Sequence, residues 1–114
     1  MLALPRKRML KRRSDFQRVY HAGRAYAGHF LVLYVFRSQP GKGDLVGFAA
    51  GRKLGCAVVR NRVKRILREA YRQNQPGLSR GLTLLLVGRK PCVTAKSSCV
   101  ADEFVKLCRK AKLL

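Results

Sequence analysis

The stretch GRKLGCAVVRNRVKRILREAYR, residues Gly51 to Arg72, decides the fold that the sequence predicts. Apolar residues recur through it at helical spacing, and basic residues step by four along the opposite side. The apolar stripe is formed by Val59, Val63, Ile66, Leu67 and Ala70. The basic side is formed by Arg60, Lys64, Arg68 and Arg72. A cationic helix face is usually a solvated surface of mixed charge. Because Glu69 is the one acid here, the pattern favours a helix that packs on one side and binds RNA with the other.

The charge of the whole chain extends this pattern. There are 26 Lys and Arg residues against 5 Asp and Glu, which gives a net charge of +21 and a pI of 11.3. Such a domain is expected to bind a polyanion, because neutralising phosphates releases their condensed counterions. An anionic membrane surface and acidic proteins are the competing partner classes. The longest apolar runs, 30–36 and 82–87, are far shorter than the ~20 residues of a membrane span. With no signal peptide at the basic N-terminus, we expect a cytoplasmic protein without a membrane partner.

The length and composition predict one folded domain. A chain of 114 residues is expected to have a radius of gyration of about 13 Å and to bury roughly two-thirds of its unfolded surface. Hydrophobic residues make up 47% of the chain, too many for a disordered basic tail. We interpret residues 1–13 as a flexible basic N-terminal arm and residues 14–114 as a single RNA-binding α+β domain.

The pattern along the chain predicts three helices and three strands. Ser14 is the expected N-cap of a short helix that ends at Gly23. Further predictions are a strand at 30–36 buried on both faces, a turn at 40–43, strands at 45–50 and 82–87, and a loop at 75–77 after the basic helix. We expect the first two strands to pair as an antiparallel hairpin. The last helix carries an apolar stripe of Val100, Phe104, Leu107, Cys108 and Ala111. This order predicts an α+β sandwich with helices over one sheet, and the general rule favours a right-handed βαβ crossover.

Residues that could support catalysis or metal binding are few. Cys56, Cys92, Cys99 and Cys108 lack C-x-x-C spacing, so we predict that they pack in the core rather than bind zinc or form disulfides. His21 and His29 could form an acid/base pair for RNA cleavage, but neither has a carboxylate beside it, which favours solvated or phosphate-contacting histidines. Five acids hardly build a two-metal site. The sequence therefore does not indicate an autonomous nuclease.

Aromatic residues stand among the basic ones and allow two interpretations. Phe16 and Tyr20 are one helical turn apart, and Tyr34 shares a strand face with Phe30 and Phe36. These rings could stack on unpaired bases, or they could pack in the core. Core packing is favoured for Phe30 and Phe36, whereas both interpretations remain open for Tyr20 and Tyr34, whose hydroxyls prefer a solvated edge.

The unbroken run RKLGCAVVRNRVKRILRE, together with Leu10, Phe16, Val19 and Tyr34, closely resembles the protein subunit of bacterial ribonuclease P. Gly88-Arg89-Lys90-Pro91 and the terminal helix are also similar to that family. The resemblance covers nearly the whole chain. It implies an αββαβα-type two-layer sandwich that resembles domain 2 of ribosomal protein S5, with a left-handed βαβ crossover.

The resemblance also implies a function and site residues. It implies a protein cofactor that binds the catalytic RNA of ribonuclease P and helps it to remove the 5′ leader of precursor tRNA. The residues implied to bind the RNA subunit are Arg52, Lys53, Arg60, Asn61, Arg62, Lys64, Arg65 and Arg68. The residues implied to bind the leader in a central cleft are Phe16, Tyr20, Tyr34 and Arg89. Asn61 could contact RNA or cap a neighbouring backbone group, and both remain open.

The implied partners are the RNA subunit and precursor tRNA, with no obligate protein partner. The RNA is implied to perform the chemistry, so no catalytic residue is predicted in this chain. No covalently bound cofactor is expected, and Mg²⁺ is expected in the holoenzyme, with ligands that the sequence does not assign. Two other classes remain open, a ribosomal or other structural RNA-binding protein and a nuclease that acts without RNA.

Overall fold

The computed structural model describes residues 13–37, 45–74 and 82–113. These residues form three α-helices and four β-strands. In chain order they are α1 (Arg13–Ala22), β1 (Arg24–Ala27), β2 (Leu31–Arg37), β3 (Leu45–Ala50), α2 (Ala57–Asn74), β4 (Leu82–Gly88) and α3 (Ser97–Lys110). Single turns of 3₁₀-helix precede α2 at Arg52–Leu54 and follow β4 at Lys90–Val93. The α+β class predicted from the sequence is therefore confirmed, with one strand more than expected.

The four strands form one sheet in the order β1-β2-β4-β3. β2 is antiparallel to both β1 and β4, whereas β3 is parallel to β4. The predicted hairpin between 30–36 and 45–50 is therefore wrong, because β4 lies between them. β4 takes the central place since its side chains, apolar except for Thr83, are almost all buried on both faces, which only a central strand allows. The hairpin that does form joins β2 to the unpredicted strand β1.

Alternate residues of β2 face two different layers. Leu31, Leu33 and Val35 are buried in the main core beneath α2 and α3, while Tyr34 and Phe36 pack on the other side of the sheet, towards α1. This alternation agrees with the predicted faces for residues 31–36. Phe30, predicted on the face of Tyr34 and Phe36, instead precedes β2 and packs against the main core. The main core covers one whole face, whereas α1 covers the opposite face only in part, through Val19. The two-layer description thus holds for α2, α3 and the sheet, and α1 is an addition on the far side.

Two backbone hydrogen bonds of β2 determine the hand of the crossover from β3 through α2 to β4. The carbonyl of Leu31 accepts from Gly28 on the β1 side, and the carbonyl of Phe30 accepts from Arg89 on the β4 side, each at 2.8 Å. The Leu31 side chain points to the helices. The sheet is viewed from the helices, with β2 running upward. For an L-residue, the directions of the side chain and the carbonyls then place β1 to the right of β2, and β4 and β3 to its left. The crossover is therefore left-handed, as the resemblance implies and against the usual rule.

Several boundaries differ from the sequence predictions. Ser14 lies inside α1, which begins at Arg13, and is not its N-cap. α2 is separated from its preceding 3₁₀ turn by Gly55, whose φ of 142° disfavours any other residue. The arm up to residue 12, the turn at 40–43 and the loop at 75–77 lie outside the described residues. The radius of gyration is 13.1 Å, close to the value expected for one domain. No helix within the described ranges is long and apolar enough to cross a membrane.

Candidate RNA interface

The outer side of α2 carries the basic residues that the sequence singled out. The helix buries Val63, Ile66, Leu67, Ala70 and Tyr71 against the sheet and α3, with Val63 and Leu67 fully inaccessible. Asn61, Arg62, Arg65 and Arg68 are exposed, while Arg60 and Lys64 are half-buried. Val59, predicted on the apolar stripe, is only half-buried. We call Arg60, Asn61, Arg62, Lys64, Arg65 and Arg68 the cationic face of α2.

Contacts with the protein orient some of these cations. Arg62 donates a hydrogen bond to the carbonyl of Val93, and the Arg68 guanidinium lies 5.8 Å from the centroid of the Phe48 ring, a cation–π distance. Arg72, by contrast, is paired with Glu69 at 2.5 Å within the same helix. Its charge is therefore partly neutralised, and Arg72 is not part of the cationic face.

Arg60 carries a feature that the sequence could not show. Its Nε atom is buried, and it has no hydrogen-bond partner among the residues that the structure describes. A buried donor without a partner costs about 1–3 kcal/mol.

All four cysteines are free thiols, of which two are buried and two are exposed. Cys92 and Cys108 are buried, which raises the pKa of both thiols, that of Cys108 to about 12. For these two, core packing is confirmed. Cys56 and Cys99 are exposed, so the prediction of core packing is wrong for them. Cys56 directly precedes α2, and hydrogen bonds from the backbone of Val59 and Val58 lower the pKa of its thiol. The free N–H groups of a helix start explain this effect.

The face of the sheet beneath α1 brings the predicted aromatic residues together. Phe16 and Tyr20 lie on α1, and Tyr34 lies on β2. Phe16 and Tyr34 pack against the small cluster of Val19 and Leu85, while Tyr20 contacts Tyr34. The rings of Tyr20 and Tyr34 meet edge to face, with centroids 4.9 Å apart and an interplanar angle of 77°. Tyr20 remains 42% exposed. Partial burial, followed by the proximity of Tyr34, raises the pKa of Tyr20. We call Phe16, Tyr20 and Tyr34 the aromatic cleft.

A pocket of about 630 Å³ lies where the parallel strands β3 and β4 end. Four cations line it, Arg52 and Lys53 from the 3₁₀ turn before α2 and Arg89 and Lys90 after β4. The family resemblance implied one surface for Arg52 and Lys53 and another for Arg89, but the structure places the three residues in one pocket. Lys90 was not predicted as a site residue, although its position beside Arg89, directly after a buried strand, could have indicated that it lies at this site. We call this the strand-end pocket.

Arg89 is held in that pocket by the turn between β1 and β2. Its backbone N–H donates to the carbonyl of Phe30, and its Nη1 donates to the carbonyl of Gly28, both at 2.8 Å. His29 and His21 are both exposed, as expected for histidines in solvent. His21 lies in the last turn of α1, whereas His29 precedes β2 and contacts the Phe30 ring. Within the described ranges, no three His, Cys, Asp or Glu side chains are grouped so that they could hold a metal ion.

A basic α+β domain with a cationic helix on one face of its sheet and an aromatic cleft on the other has the features of an RNA-binding module. Comparisons with known proteins identify its family. The family model described as Ribonuclease P matches residues 4–112. The ribonuclease P protein component of Natranaerobius thermophilus is 40% identical over 105 residues, which cover 92% of this chain and 90% of that protein. The corresponding protein of Symbiobacterium thermophilum is 42% identical over 105 residues, covering 92% and 91%. The chain therefore belongs to the ribonuclease P protein family.

Solved structures share the fold. The ribonuclease P protein of Staphylococcus aureus superposes with a TM-score of 0.81 at 24% identity, covering 93% of this chain and 96% of that one. The protein from Thermotoga maritima gives a TM-score of 0.76 at 24% identity, covering 87% and 93%. The sheet order and the left-handed crossover described above thus belong to a fold seen in proteins of this family.

Proposed function

We propose that this protein is the protein cofactor of ribonuclease P. It binds the catalytic RNA subunit through the cationic face of α2 and holds the 5′ leader of precursor tRNA in the aromatic cleft, so that the RNA removes the leader. Membership of the family supports the assignment to ribonuclease P. The observation that carries the division into two surfaces is that the cations of α2 and the cleft rings lie on opposite faces of one sheet.

The cationic face screens the electrostatic repulsion between two polyanions, the RNA subunit and precursor tRNA. Its arginines bind phosphates because the guanidinium fork can hold two phosphate oxygens at once. Seven of the eight predicted contact residues are cations, since Asn61 is neutral, and seven phosphate contacts would give log K against log salt a slope of roughly −6 on duplex-like RNA.

The aromatic cleft acts by stacking. Tyr20 is partly exposed and lies edge-on to Tyr34, which leaves ring surface for an unpaired base. Stacking tolerates any base, and this suits leaders of variable sequence. Arg89 adds a phosphate contact from the strand-end pocket, where Arg52 and Lys53 also lie. We infer that the leader and the RNA subunit meet at that pocket.

The chemistry belongs to the RNA subunit. This part of the proposal rests on the family resemblance, and Mg²⁺ serves the holoenzyme as a whole, without ligands assigned in this chain. The protein is a subunit of an endoribonuclease and has no active site of its own. The same proposal places it in the cytoplasm with precursor tRNA.

A reconstitution assay tests the proposal against both rivals. Precursor tRNA is incubated at physiological salt with the protein alone, with the RNA subunit alone, and with both. We expect no cleavage by the protein alone and faster leader removal with both than with the RNA subunit alone. Cleavage by the protein alone would establish the autonomous nuclease. No gain from adding the protein would favour a structural RNA-binding protein instead.

A further inference from the structure

Glu103 on α3 binds the turn between β1 and β2 through three consecutive backbone N–H groups. Its Oε1 accepts from Phe30 at 2.7 Å and from Leu31 at 3.0 Å, and its Oε2 accepts from His29 at 2.8 Å. Successive N–H groups that converge in this way form an anion-binding concavity. Here the anion is a side chain of the protein itself. Hydrogen bonds to a carboxylate are about twice as strong as neutral ones, so α3 holds the turn firmly.

Gly28 allows the carboxylate to come this close. A Cβ at position 28 would lie 2.3 Å from Oε1 and 2.5 Å from Cδ of Glu103. Contacts under 3.0 Å are not tolerated without displacement, so any larger residue would move either the turn or the carboxylate. The glycine is thus required by the approach of the Glu103 side chain rather than by its own backbone angles.

The turn that Glu103 holds is the same turn that holds Arg89. Both anchors of Arg89 are carbonyls of this segment, those of Gly28 and Phe30. The donors of the segment face Glu103, and two of its acceptors face Arg89. Backbone positions 28–30 therefore connect a carboxylate on α3 with a guanidinium in the strand-end pocket.

The carboxylate of Glu103 has partners of a different kind from those of Glu69. Glu69 pairs with Arg72, as expected where cations are abundant. Glu103 instead directs both carboxylate oxygens to backbone N–H groups. The neighbouring Asp102 is exposed and provides a matched comparison.

We propose that Glu103 is a positioning residue for leader binding, which fixes the turn at 28–31 and thereby the direction in which Arg89 presents its guanidinium to RNA phosphate. This inference rests on the proposed function of Arg89 in the strand-end pocket. Glu103 itself does not contact RNA in this scheme.

The test is a double-mutant cycle in the reconstituted holoenzyme. The affinities for precursor tRNA and for mature tRNA are measured with Glu103→Gln, Arg89→Ala and the double variant, and Asp102→Asn serves as the charge-matched control. Since tenfold corresponds to one well-made contact, we expect Glu103→Gln to weaken precursor binding about threefold to tenfold and to leave mature tRNA binding unchanged. On the Arg89→Ala background it should have no further effect. Asp102→Asn should behave as the wild type.

Additive effects of Glu103→Gln and Arg89→Ala, or an unchanged precursor affinity in Glu103→Gln, would overturn the inference while the proposed function stands. If Arg89→Ala alone had no effect, the role of Arg89 in the proposed function would fail, and this inference with it.

A second variant removes the dependence on one substitution. Gly28→Ala keeps the charge of Glu103 but displaces its carboxylate, so it should reduce precursor affinity to the same extent as Glu103→Gln, without additivity between the two. Thermal unfolding followed by circular dichroism verifies that each variant is folded. A folded Gly28→Ala protein with wild-type precursor affinity would contradict the inference.

Discussion

The two faces of the sheet present different chemistry to a nucleic acid. The cationic face of α2 consists of five cations and one amide, most of them exposed. The aromatic cleft combines the half-buried rings of Phe16 and Tyr34 with the more exposed Tyr20, which meets Tyr34 edge to face. Charge acts over a Debye length and weakens with salt, while stacking acts only at contact and accepts any base. In the function proposed above, one face of the sheet provides affinity for a large RNA and the other selects a short single strand.

The strand-end pocket contains cations assigned to both surfaces, so the two surfaces are not separate there. Arg52 and Lys53 lead into α2, and Arg89 follows the central strand. The carboxyl ends of parallel strands commonly form binding sites, and here the parallel pair β3 and β4 brings the two groups of cations together. Any test that separates the two faces should therefore use residues outside this pocket.

The largest effect is expected from neutralising the cationic face. A variant with Arg62, Arg65 and Arg68 changed to Ala loses three phosphate contacts, so its affinity for the RNA subunit should fall roughly 10²-fold to 10³-fold. The slope of log K against log salt should become shallower by about 2 to 3. Filter binding at several salt concentrations measures both quantities.

The matched control for that variant lies on α3. Lys106, Arg109 and Lys110 are also exposed on a helix, and changing them to Ala removes the same charge. We expect a much smaller loss of affinity. Equal losses in the two variants would show that net charge, not its location on α2, determines binding.

The next effect concerns the aromatic cleft. Tyr34→Ala removes one stacking ring and its edge contact with Tyr20, so the preference for precursor over mature tRNA should fall about fivefold to a hundredfold. Assembly with the RNA subunit and its salt slope should be unchanged. Tyr34→Phe keeps the ring and should behave as the wild type. An unchanged ratio of precursor to mature tRNA affinity in Tyr34→Ala would refute the cleft assignment.

The reactivity of the cysteine thiols can test, without any mutation, whether RNA binds beside the cationic face of α2. The pKa of Cys56 is lowered by backbone N–H groups at the start of α2, so its reactive thiolate forms at lower pH than in a free cysteine. The alkylation rate of Cys56 should therefore reach its plateau at a lower pH than the rate of a free cysteine does. The RNA subunit should protect Cys56, beside the cationic face, and leave the exposed Cys99 on α3 reactive. Cys108, whose pKa is raised to about 12 by burial, should not react in the folded protein. Mass spectrometry after timed alkylation distinguishes the sites.

The sequence predicted the elements that a strong local pattern specifies. α2 follows from the helical recurrence of Val63, Ile66, Leu67 and Ala70, all of which are buried. β3 was predicted with its observed bounds. β1 was missed because RAYA is four residues long and only Tyr26 is half-buried, so it carries no alternation. The hairpin prediction failed because adjacency in sequence is only a tendency, and the more apolar β4 takes the central place.

Long-range contacts were beyond the sequence for a different reason. Glu103 reaches backbone groups 72 to 74 residues away, and no local pattern marks such a pair. The exposure of Cys56 and the burial of Arg60 Nε likewise depend on how the start of α2 sits on the sheet. The resemblance named the cationic and aromatic residues, but only the fold shows which of them share a pocket.

The smallest effect, and the sharpest contrast with the cationic face, is expected at Lys112. This residue has φ of 61° just after α3, where Leu113 donates back to the carbonyl of Cys108 at 2.8 Å, the arrangement in which helices usually place glycine. Lys112→Gly relieves the strain of a side chain in the left-handed region but adds freedom to the unfolded chain. The free energy of unfolding should therefore rise by only about 0.5 kcal/mol.

The same substitution removes one positive charge, as Arg65→Ala does, but Lys112 lies outside the cationic face, the aromatic cleft and the strand-end pocket. Thermal unfolding and filter binding of the two single variants, side by side, compare a charge held on α2 with a charge held elsewhere. We expect Arg65→Ala to weaken binding to the RNA subunit about fivefold to tenfold, and Lys112→Gly to leave it within about twofold. Equal weakening would mean that the protein attracts RNA through its total charge, and the distinction between the two faces would then concern only the leader.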